Sequence, residues 1–234
     1  MNRLLSLLPA ALVALVFGFL GAWAFALSGL GGSATRAWLL AHPEILPQMA
    51  EAYQAREARA RLAGVAGDVT RPFPGAVLGN PDGAVTLVEF TDYGCTFCRQ
   101  SVAEVKALIA AHPDLKVVMR EWPIFEGSEA AARMALAAAK QGRYAAFHDA
   151  LFAHGPPSAR TIALAAEAAG LDVAAAEKFA SSPEATFELQ KNADLARRLG
   201  FEGTPSWVVG DTAFSGAVGR ERLGEAIAAA RSAS

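Results

Sequence analysis

Two cysteines, Cys95 and Cys98, are the only thiols of this 234-residue chain, and they enclose Thr96 and Phe97 in a single Cys-x-x-Cys. An i,i+3 spacing on a helix brings two sulfurs to one face, near enough for a disulfide that can open and close. A helix start adds unpaired backbone N–H groups and the positive end of the helix dipole, and both favour thiolate over thiol. In that setting Cys95 is the exposed attacking sulfur and Cys98, one turn further in, the resolving one. A static structural bridge is the alternative, but so short a loop removes little chain entropy. Zinc sites use four ligands. There is no second Cys-x-x-Cys and no His-x-x-x-His, and His42, His112, His148 and His154 are scattered. No metal is expected, and no cofactor beyond the Cys95–Cys98 disulfide itself.

Two other places could serve such a pair. Glu89 stands upstream of Cys95 on an apolar strand. As a partly buried acid beside Cys98 it could relay the resolving thiol's proton; as an edge-exposed glutamate it would do nothing, and both readings stand. Thr204-Pro205 follows Gly203 and precedes the apolar Trp207-Val208-Val209. Proline lacks a donor and suits a strand start, and a cis X–Pro bond costs only ~0.5–1 kcal/mol over trans. We expect a cis bond facing the sulfurs, with Thr204, Pro205, Thr96 and Phe97 lining the place where an extended substrate peptide docks.

The elements around these residues must hold them. Asn80-Pro81-Asp82-Gly83 is a turn, and Val85 to Phe90 is a β-branched, apolar strand. Arg99 to Ala111 has helical periodicity, with Val102, Val105, Leu108 and Ile109 on one face. Leu115 to Met119 reads as a second strand. Alanine-rich helices fill Ser128 to Gly200, punctuated by Gly142, Gly155-Pro156-Pro157, Gly170 and Pro183. Short strands at Trp207–Val209 and Ala213–Ser215 precede a helix at Arg220–Arg231. This order predicts an α/β chain: a thioredoxin fold interrupted by an all-helical subdomain.

From Leu4 to Thr35 no residue is charged, and Leu4 to Leu30 is almost wholly apolar. That exceeds the ~20 residues a spanning helix needs. Arg3 precedes it and favours a cytoplasmic N-terminus. A retained anchor is the favoured reading. A cleaved signal peptide, with sites at Ala22-Trp23-Ala24 or Ala24-Phe25-Ala26, is the rival. Either way the folded part is exported to an oxidising compartment, the cell envelope or periplasm. Gly29 to Ser33 ends the apolar run. Arg36 to Ala63 then reads as helix, interrupted early by Pro43 and Pro47. Leu46, Met49 and Tyr53 form one apolar stripe, and Glu57 with Arg61 a favourable pair. An association helix and a solvated connector are both open. Gly64 to Pro74 reads as linker.

The expected parts are therefore a signal-anchor or signal peptide (1–32), a leader helix (33–64), a linker (65–75), a first fold segment with the Cys-x-x-Cys (76–125), a helical insertion (126–200) and a second fold segment with the proline loop (201–234). The chain is 53% hydrophobic and 19% charged with a formal net charge of -2. That excludes global disorder and lacks the basic excess nucleic acid binding would use.

At this point a family resemblance enters. Val88-Glu89-Phe90-Thr91-Asp92-Tyr93-Gly94-Cys95-Thr96-Phe97-Cys98 resembles the active-site strand and loop of DsbA-like proteins of the thioredoxin superfamily. Gly203-Thr204-Pro205-Ser206-Trp207 resembles their cis-proline loop, and Ser128-Glu129-Ala130-Ala131 with Gln141-Gly142-Arg143-Tyr144 looks like their helical insertion. Ala37 to Leu46 looks like the leader helix of ScsC-type relatives, some of which oligomerise through it. The resemblance runs from about Ala76 to Ile227. It implies a catalytic Cys95–Cys98 pair, an acid at Glu89, a cis Thr204–Pro205 bond, and disulfide exchange with thiols of exported proteins. It also implies a membrane redox partner, DsbB-like for an oxidase and DsbD-like for a reductase or isomerase. Family members often carry histidine, proline or tyrosine between the cysteines; Thr96-Phe97 adds no positive charge. An oxidase leads, an isomerase or reductase of ScsC type (a homo-oligomer through its leader) is the alternative, and a metal-binding or chaperone-like module is the third reading.

Overall fold

A computed structural model describes residues 8–27 and 30–233. The chain divides into two compact units, Met1–Tyr53 and Gln54–Ser234. The first contains α1 (Leu8–Leu27), α2 (Leu30–Ala41) and the beginning of α3 (Ile45–Ala63). α1 carries no charged residue, and its described side chains, Leu12 to Phe25, are exposed. Among the described residues no helix is long and apolar enough to cross a membrane. Arg3 and Gly29 lie outside the described residues. Pro43 falls between α2 and α3, as expected. Pro47 interrupts nothing: it sits in the first turn of α3, where backbone N–H groups have no helical acceptor anyway. Leu46, Met49 and Tyr53 are exposed.

The second unit is built on a five-stranded sheet in the order β1-β3-β2-β4-β5. Its elements are α4 (Ala66–Thr70), β1 (Val77–Gly79), β2 (Val85–Thr91), α5 (Thr96–Ala111), β3 (Leu115–Glu121), α6 (Ser128–Lys140), α7 (Tyr144–His154), α8 (Ala159–Ala168), α9 (Val173–Ala180), α10 (Pro183–Leu199), β4 (Ser206–Val209), β5 (Thr212–Ser215) and α11 (Gly219–Ala233). β2 runs parallel to β3, with Glu89 opposite Met119 and Thr91 opposite Glu121. β4 is antiparallel to β2 and β5 to β4. This is a thioredoxin-like fold with α6 to α10 inserted between β3 and β4.

β2 is central and covered on both faces, so it reads as an apolar run without alternation. One face packs Leu87, Val117, Met119 and Trp207 against Val105 and Leu108 of α5 and Leu223 and Ile227 of α11. The other packs Val88, Phe90, Val118 and Val208 against Leu195 and Leu199 of α10. The stretch expected as linker is packed as well. Val65, at the N-cap of α4, and Val69 within it are buried against Val88, Phe90 and Val118, and Phe73, past the helix end, is buried in the core on the other face. Arg120 of β3, also buried, donates to the carbonyls of Asp68, Val69 and Arg71 and pairs with Glu188 at 3.0 Å and Asn192 at 3.1 Å. β3 thus extends past Met119 to include Arg120 and Glu121.

Candidate active site

Cys95 is the N-cap of α5, in extended backbone conformation, and its sulfur accepts from the Cys98 N–H at 3.4 Å. Both cysteines are free thiols. The Cys95 thiol donates to the carbonyl oxygen of Thr204 at 3.1 Å, and the Thr204–Pro205 bond is cis. The proline loop therefore faces the attacking position. One expectation needs correcting: Cys95 is not an open thiol. It is 3% exposed, against 0% for Cys98, because the Thr204 carbonyl lies across it. Accessible instead are Thr96 and Phe97, which project from the first turn of α5.

Glu89 is on the central strand, not at an edge, and is 3% exposed. The Ser101 hydroxyl lies 2.9 Å from Glu89 Oε1 and 2.8 Å from the Cys98 carbonyl oxygen. Its one proton cannot serve both acceptors at once. A protonated Glu89 resolves this by donating to Ser101 Oγ while Ser101 donates to Cys98. Burial, reinforced by repulsion from Glu104, pushes Glu89 up to about 8 against the opposing Ser101 bond. Burial, with the charge of Glu89 behind it, also raises the Cys98 thiol. Acid and resolving thiol thus sit in one dry pocket, each making the other harder to ionise.

The profile of the DSBA-like thioredoxin domain family matches residues 86–228, and that of the copper resistance protein ScsC N-terminal domain matches residues 32–60. The chain belongs to the DSBA-like thioredoxin domain family. A thioredoxin-like oxidoreductase from Silicibacter pomeroyi is similar at 45% identity and a TM-score of 0.64, covering 68% of this chain and 92% of its own. A Proteus mirabilis ScsC variant with a linker deletion is similar at 25% identity and a TM-score of 0.70, covering 86% and 93%. The thiol-disulfide exchange protein alpha-DsbA2 from Wolbachia pipientis follows at 25% identity and a TM-score of 0.68, covering 78% and 98%. Among curated proteins, an Na(+)/H(+) antiporter NhaA of Salinispora tropica is 28% identical over 75% of this chain, which spans only 28% of that relative's length.

Within this DSBA-like domain, further residues support the loop that sequence patterns leave unmarked. Asp92 accepts from the Gly94 N–H at 2.6 Å through Oδ1 and from the Ile124 and Phe125 N–H groups at 2.6 and 2.9 Å through Oδ2. It stitches the loop before Cys95 to the loop after β3. Below lies a buried polar group: Glu121 Oε1 accepts from Tyr144 at 2.6 Å and Tyr93 at 3.2 Å, and the Tyr93 hydroxyl lies 3.3 Å from His148 Nδ1. The available signal was the charged pair Arg120-Glu121 directly before Trp122-Pro123, which extends an apolar strand instead of ending it.

Proposed function

We propose that this protein is a thiol:disulfide oxidoreductase of the bacterial cell envelope, working through Cys95 and Cys98. The observation that carries the reading is the placement of Cys95 at the cap of α5, between the Cys98 N–H and the Thr204 carbonyl, with Cys98 beside the buried acid Glu89. In the oxidising direction a substrate thiolate attacks Cys95 of the disulfide. The Cys95–Cys98 bond breaks, a substrate–Cys95 bond forms, and Cys98 leaves as a thiolate that takes the proton of Glu89. A second substrate thiolate then attacks the substrate sulfur of the mixed disulfide and releases Cys95. The substrate leaves oxidised by two electrons and the enzyme holds a dithiol. Thr204 and Pro205 form one wall of the docking place, and Thr96 and Phe97 the other.

The apolar run from Leu4 to Leu30, longer than the helix α1 within it, is the segment we assign to an inner-membrane anchor, and a membrane redox partner returns the dithiol to its starting state. The deciding experiment is the reduction potential of the Cys95–Cys98 couple, measured with the oxidation of a reduced, unfolded thiol protein. A potential well above that of thioredoxin (about −270 mV) with rapid oxidation supports the oxidase. No exchange with protein thiols in either direction sinks the whole reading. The match of residues 32–60 to the ScsC N-terminal domain favours a second reading, an isomerase or reductase that associates through Leu46, Met49 and Tyr53. It predicts a lower potential and reshuffling of scrambled disulfides.

A further inference from the structure

The chemistry assigned to Glu89 leaves a second buried carboxylate unused. Glu121, at the end of β3, is 0% exposed. The register sets Thr91 opposite Glu121 and Glu89 opposite Met119. Alternation along the strands therefore puts Glu89, Thr91 and Glu121 on one face of the sheet, the face that carries the core beneath α5. Tyr93 and Tyr144 both donate to Glu121 Oε1. Its Oε2 has no hydrogen-bond partner among the described residues, and neither does Thr91 Oγ1. A wholly buried carboxylate with one bare oxygen is costly as an anion and much less so as a neutral acid.

We propose that Glu121 is a positioning residue for proton exchange between Glu89 and Cys98: held by Tyr93 and Tyr144 on the same dry sheet face, it governs through its charge how readily Glu89 gives or takes the proton. This rests on the reading of Glu89 as the acid that serves Cys98. The groups facing Glu121 are Glu89 and Asp92 from β2 and its loop, Tyr93 from that loop, and Tyr144 and His148 from α7. Burial pushes Glu121 up to about 8 against the two tyrosine bonds, with Asp92 and then Glu89 adding to it. Burial holds His148 down to about 4, with Asp149 and Lys106 acting on it in opposite senses. His148 is thus neutral at pH 7 and brings no positive charge to the pocket. Two carboxyls so placed ionise as a pair: once one is charged, the other holds its proton harder.

The test is the rate at which Cys98 resolves a mixed disulfide between Cys95 and glutathione, followed from pH 5 to pH 10. The intact protein should show the carboxyl ionisations as two separated steps. Glu121→Gln keeps an oxygen for both tyrosines; it should collapse them to one step and move the remaining Glu89 midpoint down by on the order of one pH unit. Tyr144→Phe removes a donor to Glu121 and should move the upper step to higher pH. Glu89→Gln is the reference. If it leaves the profile unchanged, the assignment of Glu89 fails and this inference with it. If Glu89→Gln changes the profile and Glu121→Gln only lowers the melting temperature, Glu121 is structural and this inference alone is overturned. Should Glu121→Gln not fold, an unmoved profile in Tyr144→Phe overturns it equally.

Discussion

Glu89→Gln removes an ionisable group at nearly constant volume, and its effect on stability follows from burial. Glu89 holds its proton up to about 8 in the native state, against 4.5 for an ordinary glutamate. Between those values the native protein keeps a proton that the unfolded chain has released. Stability therefore falls as pH rises, by about 1.4 kcal/mol per pH unit for this one group. From pH 5 to pH 7 that is about 3 kcal/mol, a large share of the ~5–15 kcal/mol that keeps a domain folded. Glu121 acts in the same direction over the same window. His148, held down to about 4 from 6.5, acts oppositely: its contribution rises with pH between those values. The glutamine variant loses the first contribution, keeps that of His148, and keeps most of that of Glu121, whose burial rather than Glu89 is the main cause of its shift. Urea unfolding of the reduced protein at pH 5, 6 and 7 should show the parent losing about 3 kcal/mol more than Glu89→Gln across that range. Parallel pH dependences in the two proteins would refute the claim that Glu89 stays protonated at neutral pH.

Other perturbations test other parts of the molecule. Cys95→Ser should abolish exchange, while Cys98→Ser should accumulate mixed disulfides with substrate, visible as thiol-sensitive bands on non-reducing gels; trapping by Cys95→Ser instead reverses the roles. Arg120→Met removes the donor to Asn192 and to three backbone carbonyls and leaves the buried Glu188 with Lys191 alone, which should cost about 3–5 kcal/mol in chemical denaturation. Gly94→Ala would set a Cβ 2.7 Å from Ser128 Oγ and 2.9 Å from Phe125 Cβ. The loop before Cys95 must shift, so exchange should slow at least several-fold in a stopped-flow assay, and an unchanged rate would show the Asp92 stitch to be unimportant.

The residues that are legible in the sequence are those with a local signature. The Cys-x-x-Cys after a β-branched run, the Gly-Thr-Pro before Trp207, and the alanine-rich helices with their glycine stops each announce themselves within a few positions. What the sequence hides is decided by distant partners. The Thr204 carbonyl that covers Cys95 comes from 109 residues away, so its thiol looks open in the sequence and is closed in the fold. Arg120 and Glu121 look like the solvated end of a strand. Their burial is settled by Glu188 and Asn192, 68 and 72 residues downstream of Arg120, and by Tyr144 beside Glu121. Glu89 is ambiguous for another reason: a strand covered on both faces shows no alternation from which to read its inward side. α4 is hidden among glycines and prolines because it is a single short turn, Ala66–Thr70, whose buried apolar residue Val69 stands without a helical repeat around it.

The topology explains why these distant pieces meet at one end of the sheet. β2 and β3 are parallel, so the loops that follow them emerge together; β4 is antiparallel to β2, so the loop that precedes it arrives there too. The loop from β2 carries Asp92 to Cys95, the loop from β3 carries Trp122 to Phe125, and the loop into β4 carries Thr204 and Pro205. Asp92 fixes the first two to each other through three backbone N–H groups, and the Cys95 thiol meets the third. Phe97, Ile124 and Phe125 are left exposed at the rim, while the polar side chains run inward from Cys98 through Ser101 to Glu89, with Glu121 on the same sheet face nearer the loops, opposite Thr91. The helical insertion meets the sheet at Glu121, since Tyr144, which donates to it, lies on α7 with His148. An inserted helix that donates to a buried carboxylate on the sheet does more than cover the fold. Through the Tyr93 hydroxyl, which donates to Glu121 and lies 3.3 Å from His148 Nδ1, it is joined to the loop that holds Cys95.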